Sequence, residues 1–411
     1  MFHPAGSPRP GFTRPKTMTY DATAPLTLLG NRSPAEFLSE YWQKKPLLIR
    51  GAYPDFQAPL SPDELAGLAC EDGIEARLVE QFGPDKTWQL SHGPFDEDTF
   101  SRLGERDWSL LVQAVDHYVP DVAELMADFR FIPAWRLDDI MISYAPPGGN
   151  VGPHVDNYDV FLLQASGTRR WQLGEFCDEN APVIQGIDLK MLEHFEVSAG
   201  QDWVLEPGDM LYLPPRLAHH GVSESSDCMT ISVGFRAPSA DEMITSYADF
   251  RGEQLSEEQR YGDADLTAPS HSGEIDEQAL ARAREIILTA LDEPSTLAAW
   301  FGRYMTQARY PDQLAEPETT TTADTLLNRL EQGEEIERSL GSRFAFHGLD
   351  STRATLFADG DAIECDRTLA EAVASTDPLT QDLVPMDHGA AELLAALINR
   401  GSLHWLDDDD A

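Results

Sequence analysis

The chain has 411 residues and a mass of 45.6 kDa, enough for two or three domains. Its 71 Asp+Glu against 30 Lys+Arg give a net charge of −41 at pH 7, which argues against free nucleic acid as a partner because phosphates would be repelled. No apolar run approaches membrane-spanning length and no signal peptide opens the sequence, so a cytoplasmic protein with no membrane partner is expected.

Residues 1–19 hold several prolines with Arg9, Arg14 and Lys16, and read as a disordered basic tail. Ser33 with Glu36 three residues on marks a capped helix start. Leu26 to Leu29 before it reads as a short strand. A proline break at Pro46 then leads into a buried strand, Leu47-Leu48-Ile49. Ser61-Pro62 opens a second helix. Ala76 to Gln81, Trp88 to Leu90 and Trp108 to Val112 are strand-like, Asp121 to Phe129 is helical, and Asp138 to Tyr144 is a strand. A glycine-rich turn, Pro146 to Asn150, follows it.

Tyr158 to Ala165 and Thr168 to Leu173 read as a hairpin around Ser166-Gly167. Trp203 to Leu205 and Met210 to Leu213 flank Glu206-Pro207-Gly208-Asp209, a strong turn signal. Met229 to Phe235 is the last strand. Many short strands at this pitch predict a sandwich or small barrel, which can hold a ligand in its mouth.

The chemistry-bearing residues fall within this strand-rich stretch. His154 and Asp156 form a His-x-Asp pair, and in an extended segment both side chains point the same way. Some sixty residues later comes Pro214-Pro215-Arg216-Leu217-Ala218-His219-His220-Gly221. Two imidazoles and one carboxylate take one face of an octahedron and leave the other open for a cosubstrate and dioxygen, the ligand set of a mononuclear iron site. His154 and Asp156 precede one strand and His219 precedes the last, which allows all three to meet at one rim. His220 is a second candidate for the third ligand, and the register from Pro214-Pro215 favours His219.

Arg169, Trp171 and Leu173 share one face of their strand. An inward arginine among Trp and Leu needs an anionic partner. A small dicarboxylate supplies one through a bidentate contact; an internal salt bridge or a solvent-facing arginine is the plain alternative. Arg170 takes the opposite face.

Past Phe235 the pattern turns helical. Asp241 to Arg251, Ile275 to Leu291 and Ser295 to Arg309 are amphipathic or capped helices, and the last two present apolar stripes suited to a subunit interface. A linker, Glu316 to Thr322, precedes helix Ala323 to Leu340, strand Phe344 to His347 and a hairpin from Ala354 to Cys365. Helices Thr368 to Ser375 and Gly389 to Arg400 and strand Leu403 to Leu406 complete a small winged-helix-type domain. Its acidity argues against DNA. The four cysteines are far apart and suit reduced thiols. The acidic excess reads as a salt-adapted surface, as attraction for a basic partner, or both.

Residues 20–237 resemble a JmjC-type oxygenase, and the whole chain resembles the bacterial ribosomal oxygenases of the YcfD type. The stretches that carry this are Tyr41 to Arg50, Gly152 to Phe161, Arg169-Arg170-Trp171, Leu205 to Pro215 and Ser232 to Pro238. The resemblance implies an α+β chain. A double-stranded β-helix (cupin/JmjC) barrel spans 20–237, a helical dimerisation segment 238–315 and a winged-helix-type domain 316–411. It implies Fe(II) held by His154, Asp156 and His219, with 2-oxoglutarate held by Arg169 and Ser143.

It further implies a dioxygenase that turns 2-oxoglutarate and dioxygen into succinate and carbon dioxide while hydroxylating an arginine side chain of large-subunit ribosomal protein sixteen. That basic substrate and a homodimer are the expected partners. Asn157, Tyr158 and Asp159, beside the ligands, are candidate substrate contacts. Two other readings stay open, a histidyl hydroxylase or demethylase of the same superfamily and a non-catalytic metal-binding cupin.

Overall fold

A computed structural model of the chain describes residues 21–83, 87–375 and 378–406. The expected tail at 1–19 and the terminal run Asp407 to Asp410 lie outside them. The described residues divide into two compact units, 21–237 and 238–406.

The first unit opens with two short helices, α1 (Pro34–Glu40) and α2 (Pro62–Leu68). Each starts with a reciprocal capping box, Ser33 with Glu36 and Ser61 with Glu64, as their spacing predicts. Between and after them run β1 (Leu47–Ile49), β2 (Ala76–Phe82), β3 (Thr87–His92), α3 (Glu97–Ser101) and β4 (Trp108–Val112). Next come α4 (Pro120–Ala123), which continues as a 3-10 turn, and β5 (Leu137–Ala145). The barrel strands follow: β6 (Val160–Ser166), β7 (Arg169–Phe176), β8 (Asp202–Leu205), β9 (Met210–Leu213), β10 (Leu217–Ser223) and β11 (Cys228–Phe235).

These strands form two antiparallel sheets. The larger has the order β1-β9-β6-β11-β5-β4-β2-β3 and the smaller β10-β7-β8. Strand β6 runs apolar from Val160 to Leu163, and both its faces are buried. Phe161, Leu163 and Ala165 join the core with Phe37, Tyr212 and Phe235. Val160 and Leu162 pack instead with Trp171, Leu173 and Leu217 of the smaller sheet. That second cluster is the barrel interior.

Two readings of this unit are corrected. Leu26 to Leu29 is not a strand, since Gly30 and Asn31 both adopt left-handed backbone and fold Thr27–Leu29 into a 3-10 turn. β6 and β7 do not form a hairpin. Both edges of β6 are taken by β9 and β11, so β7 crosses at Gly167 to the other sheet and pairs with β8 and β10. Strand β10, which carries His219, was not expected as a strand.

The second unit contains α5 (Ala240–Gly252), α6 (Glu277–Leu291), α7 (Pro294–Thr306) and α8 (Ala323–Glu331). Then come β12 (Ile336–Arg338), β13 (Phe344–Gly348), β14 (Arg353–Ala358), β15 (Asp361–Asp366), α9 (Arg367–Ser375), α10 (His388–Asn399) and β16 (Leu403–Trp405). β13, β14 and β15 form a meander, and β12 pairs with β16. The helix expected to reach Leu340 stops early because Gly333 turns the chain at φ 90°, freeing Ile336–Arg338 to pair as a strand. Leu326, Leu330, Leu356, Val373, Leu394 and Leu403 fill one core. Among the described residues no helix is long and apolar enough to cross a membrane.

Candidate functional site

The barrel brings His154, Asp156 and His219 together. One ligating atom from each lies within 4.8 Å of the others. His219 sits in β10, and the His154 segment adds to the edge of that strand through two backbone hydrogen bonds, each 3.0 Å. Met191 pairs with His154 on its other side. The chain can pass Met191 only because residue 152 is glycine: a Cβ there would meet the Met191 sulfur at 2.3 Å, and φ is 77°.

Each imidazole is fixed by a carbonyl two residues upstream. His154 Nδ1 lies 3.0 Å from Gly152 O and His219 Nδ1 lies 2.9 Å from Leu217 O. A carbonyl only accepts, so each Nδ1 carries the proton and each Nε2 presents a lone pair. Burial, then the neighbouring His154, lowers the His219 pKa to about 4, so its ring is neutral near pH 7. Its Nε2 lies 3.5 Å from Asp156 Oδ2. Two imidazoles and a carboxylate at this separation fit a borderline divalent metal such as ferrous iron. His220 is directed elsewhere, with Nε2 3.2 Å from Asn150 Oδ1 and its ring edge-on to Phe195.

Behind the cluster the inner face of β7 carries Trp171 and then Arg169. The Trp171 ring centroid is 5.9 Å from that of His219, and the Arg169 guanidinium carbon is 5.9 Å from the same indole. Gly221 of β10 lies under the indole, where a Cβ would come within 2.6 Å of the ring. Arg169 is 4% exposed, and among the described residues its Nε and Nη2 find no hydrogen-bond partner, nor does Trp171 Nε1. Leaving such groups unmatched costs free energy. Three buried donors converging behind a metal-ligand cluster fit an anionic cosubstrate such as a dicarboxylate. Arg170, on the outer face, is already held by Glu224 and Asp202, each at 2.7 Å.

Ser143 is 7% exposed and stands on the face of β5 opposite Ile140 and Ile142, so it faces the interior. It pairs with Thr230 of β11. Thr230, Ser232 and Gln164 share that inner face and are buried polar residues that sequence reasoning passed over. Their signal was the alternation of Thr230 and Ser232 with Met229, Ile231 and Val233.

The three candidate substrate contacts separate. Tyr158 is 43% exposed, and the charge of neighbouring Asp156 raises its hydroxyl pKa. Asn157 is exposed and accepts from Arg216 at 3.0 Å. Asp159 is not placed to meet a substrate. It is wholly buried, its carboxylate accepting from Tyr212 at 2.6 Å and Gln43 at 2.9 Å, with Arg136 at 3.6 Å. Burial raises its pKa while these hydrogen bonds oppose the rise.

A two-sheet barrel with a His-x-Asp and a distant histidine at its rim is the architecture of the JmjC-type oxygenases. Residues 124–243 match the family model described as the JmjC domain, and residues 287–404 match that of the ROXA-like winged helix. The ribosomal protein uL16 3-hydroxylase of Escherichia coli is 39% identical over 374 residues, covering 90% of this chain and 96% of that one. A probable ribosomal oxygenase of Haemophilus influenzae is 41% identical over 230 residues, 55% of each chain. The structure of Escherichia coli YcfD, a ribosomal oxygenase in complex with cobalt and 2-oxoglutarate, superposes with a TM-score of 0.81 at 38% identity. It covers 90% of this chain and 98% of that one. The chain belongs to the bacterial ribosomal oxygenase family.

Proposed function

We propose that this protein is an Fe(II)- and 2-oxoglutarate-dependent protein hydroxylase that acts on an arginine side chain of ribosomal protein uL16. The observation that carries the reading is the convergence of His154, Asp156 and His219 in front of a buried arginine with two unmatched donor atoms. The Escherichia coli relative is named for hydroxylation of uL16, and a YcfD structure holds both cobalt and 2-oxoglutarate.

In this reading His154, Asp156 and His219 hold the iron, which together with 2-oxoglutarate and dioxygen supplies the oxidising chemistry that places a hydroxyl on carbon. The protein's own work is positioning. Arg169 anchors the far carboxylate of the cosubstrate with its guanidinium fork, and Ser143 offers a hydroxyl from the facing sheet. Trp171, Leu173 and Leu162 keep that end dry, which strengthens the charge pairing. Tyr158 and Asn157 stand at the open side, where a guanidinium substrate meets a flat ring and an amide. The net charge of −41 favours encounter with a basic protein.

We take residues 20–237 as the catalytic domain, 238–315 as a helical dimerisation segment and 316–411 as the winged-helix domain. Leu280, Ile286, Ile287 and Leu288 on α6 are all more than one third exposed, which supports pairing with a second copy. A ribosomal substrate places the protein in the cytoplasm. The test is incubation of Fe(II)-loaded protein with uL16, 2-oxoglutarate and air. One arginine gains a single oxygen atom, with matching succinate release. Loaded protein that produces neither overturns the reading.

A further inference from the structure

The turn between β9 and β10 breaks a local rule. Pro214-Pro215-Arg216-Leu217 closes with Leu217 N–H pointing to Pro214 O at 3.5 Å, and its third residue sits at φ 67°. Proline second and a positive φ third is the pattern of a type II turn, which favours glycine at the third position. Here that residue is arginine. Local preference yields at sites where something else is gained.

What is gained is a set of four contacts on one segment. The positive φ turns the Arg216 backbone N–H onto Asp156 O at 2.7 Å. The guanidinium then reaches three more acceptors. Nη1 donates to Asn157 Oδ1 at 3.0 Å, Nε to Cys177 O at 3.1 Å and Nη2 to Asp178 O. Cys177 N–H returns a bond to Arg216 O at 2.8 Å. Arg216 therefore ties residues 156–157 to the chain leaving β7.

Asp156 is the ligand that needs this. His154 and His219 are held by a strand-like backbone pair, and a carbonyl fixes each ring. Asp156 lies outside any strand, and among the described residues its carboxylate is paired only with His219, at 3.5 Å. We propose that Arg216 is a positioning residue for the metal site, clamping the Asp156–Asn157 segment so that the carboxylate stays aimed at the two imidazoles. The inference rests on the metal-site reading above.

The test is direct Co(II) and Mn(II) binding to the full-length protein without cosubstrate or oxygen. Arg216→Gly keeps the turn and the backbone N–H bond to Asp156 O and removes the three guanidinium arms of the clamp. The dissociation constant rises about tenfold, the range for groups that orient metal ligands, and the Co(II) d–d bands shift. The metal-free melting temperature does not fall, because glycine suits the turn. Arg216→Lys does not restore affinity, since an ammonium lacks the fork. Arg170→Ala, which removes a charge of the same sign from the outer face, binds metal like wild type. Should Arg216→Gly fold poorly, Asn157→Ala removes one arm of the clamp and leaves the turn intact, with about a threefold loss.

Wild-type affinity in Arg216→Gly, or in Asn157→Ala where that variant decides, overturns the clamp and leaves the oxygenase reading standing. A wild-type protein that takes up neither ion overturns both.

Discussion

His154 and His219 exchange both backbone hydrogen bonds, each N–H reaching the other's carbonyl at 3.0 Å. Directly paired residues of antiparallel strands project their side chains to the same side. The two rings accordingly stand 4.2 Å apart between centroids, on one face, with both Nδ1 atoms turned to carbonyls. Residue 220 follows His219 in a strand and must project the other way. His219→Ala therefore abolishes Co(II) binding, whereas His220→Ala changes it by no more than a few fold. Calorimetric titration of the two variants checks this, and equal losses would contradict the pairing argument.

Arg169 gives a prediction with two opposite signs. Its guanidinium is buried, and among the described residues Nε and Nη2 have no hydrogen-bond partner. Removing a charge that a ligand needs costs about 2–5 kcal/mol of binding, so Arg169→Met weakens 2-oxoglutarate affinity by about thirtyfold or more. Without cosubstrate the same change relieves an unpaired buried charge, and the melting temperature rises. Cosubstrate titration of the Mn(II) form and thermal melts measure the two effects separately. Unchanged affinity would assign the anchor to another residue.

Local signals carried far in this chain, and non-local ones did not. The capping box at Ser33 and the helix start at Ser61-Pro62 need only residues a few apart, and both are formed as read. That Arg169 shares a face with Trp171 and Leu173 follows from strand alternation alone, and the burial of all three shows that face to be inward. By contrast, nothing near Ser166-Gly167 tells that β7 leaves β6, because that depends on β9 and β11 already occupying both edges. The burial of Asp159 was equally hidden. Its partners Gln43, Tyr212 and Arg136 come from three distant places in the sequence. His219 was found by motif register, but its strand was not, since Leu217–Ser223 mixes two histidines and a glycine without an apolar period.

The Asp159 network is a stabilising feature of the interior, and this can be measured. The Tyr212 hydroxyl donates to Asp159 at 2.6 Å and accepts from the Gln43 N–H at 2.8 Å. Tyr212→Phe strips one partner from a buried carboxylate and the acceptor from the Gln43 N–H, costing about 1–3 kcal/mol. Denaturant unfolding shows that loss. The Michaelis constant for the protein substrate stays within about twofold of wild type in the folded fraction, consistent with a network that touches no ligand. A large rise in that constant with unchanged stability would return Asp159 to the substrate groove.

The His219 ring makes the metal-free protein acid-sensitive. Its pKa is lowered to about 4 from an ordinary value of 6.5, so between these values the unfolded chain binds a proton that the native ring refuses. Stability then falls as pH drops through that window, by on the order of 3 kcal/mol at pH 4. His219→Gln removes this contribution while the other titrating groups remain. The difference in unfolding free energy between wild type and His219→Gln should shift against the wild type from pH 7 to pH 4.5. A flat difference would mean the ring titrates alike in both states.

The apolar face of α6 makes the last prediction. Ile287 is 56% exposed and Leu280 53%, on a helix whose polar residues could have covered those positions. An exposed stripe of this kind is stable in water once a matching surface covers it, and a second copy offers the same stripe by symmetry. Ile287→Glu places a charge at the centre of that contact, where no partner awaits it, and the desolvation cost disfavours association. Sedimentation should find the wild type at twice the chain mass and Ile287→Glu at the mass of one chain, with Co(II) affinity equal in both because α6 contributes no metal ligand. A wild type that sediments as a single chain at micromolar concentration would rule out self-association through this face.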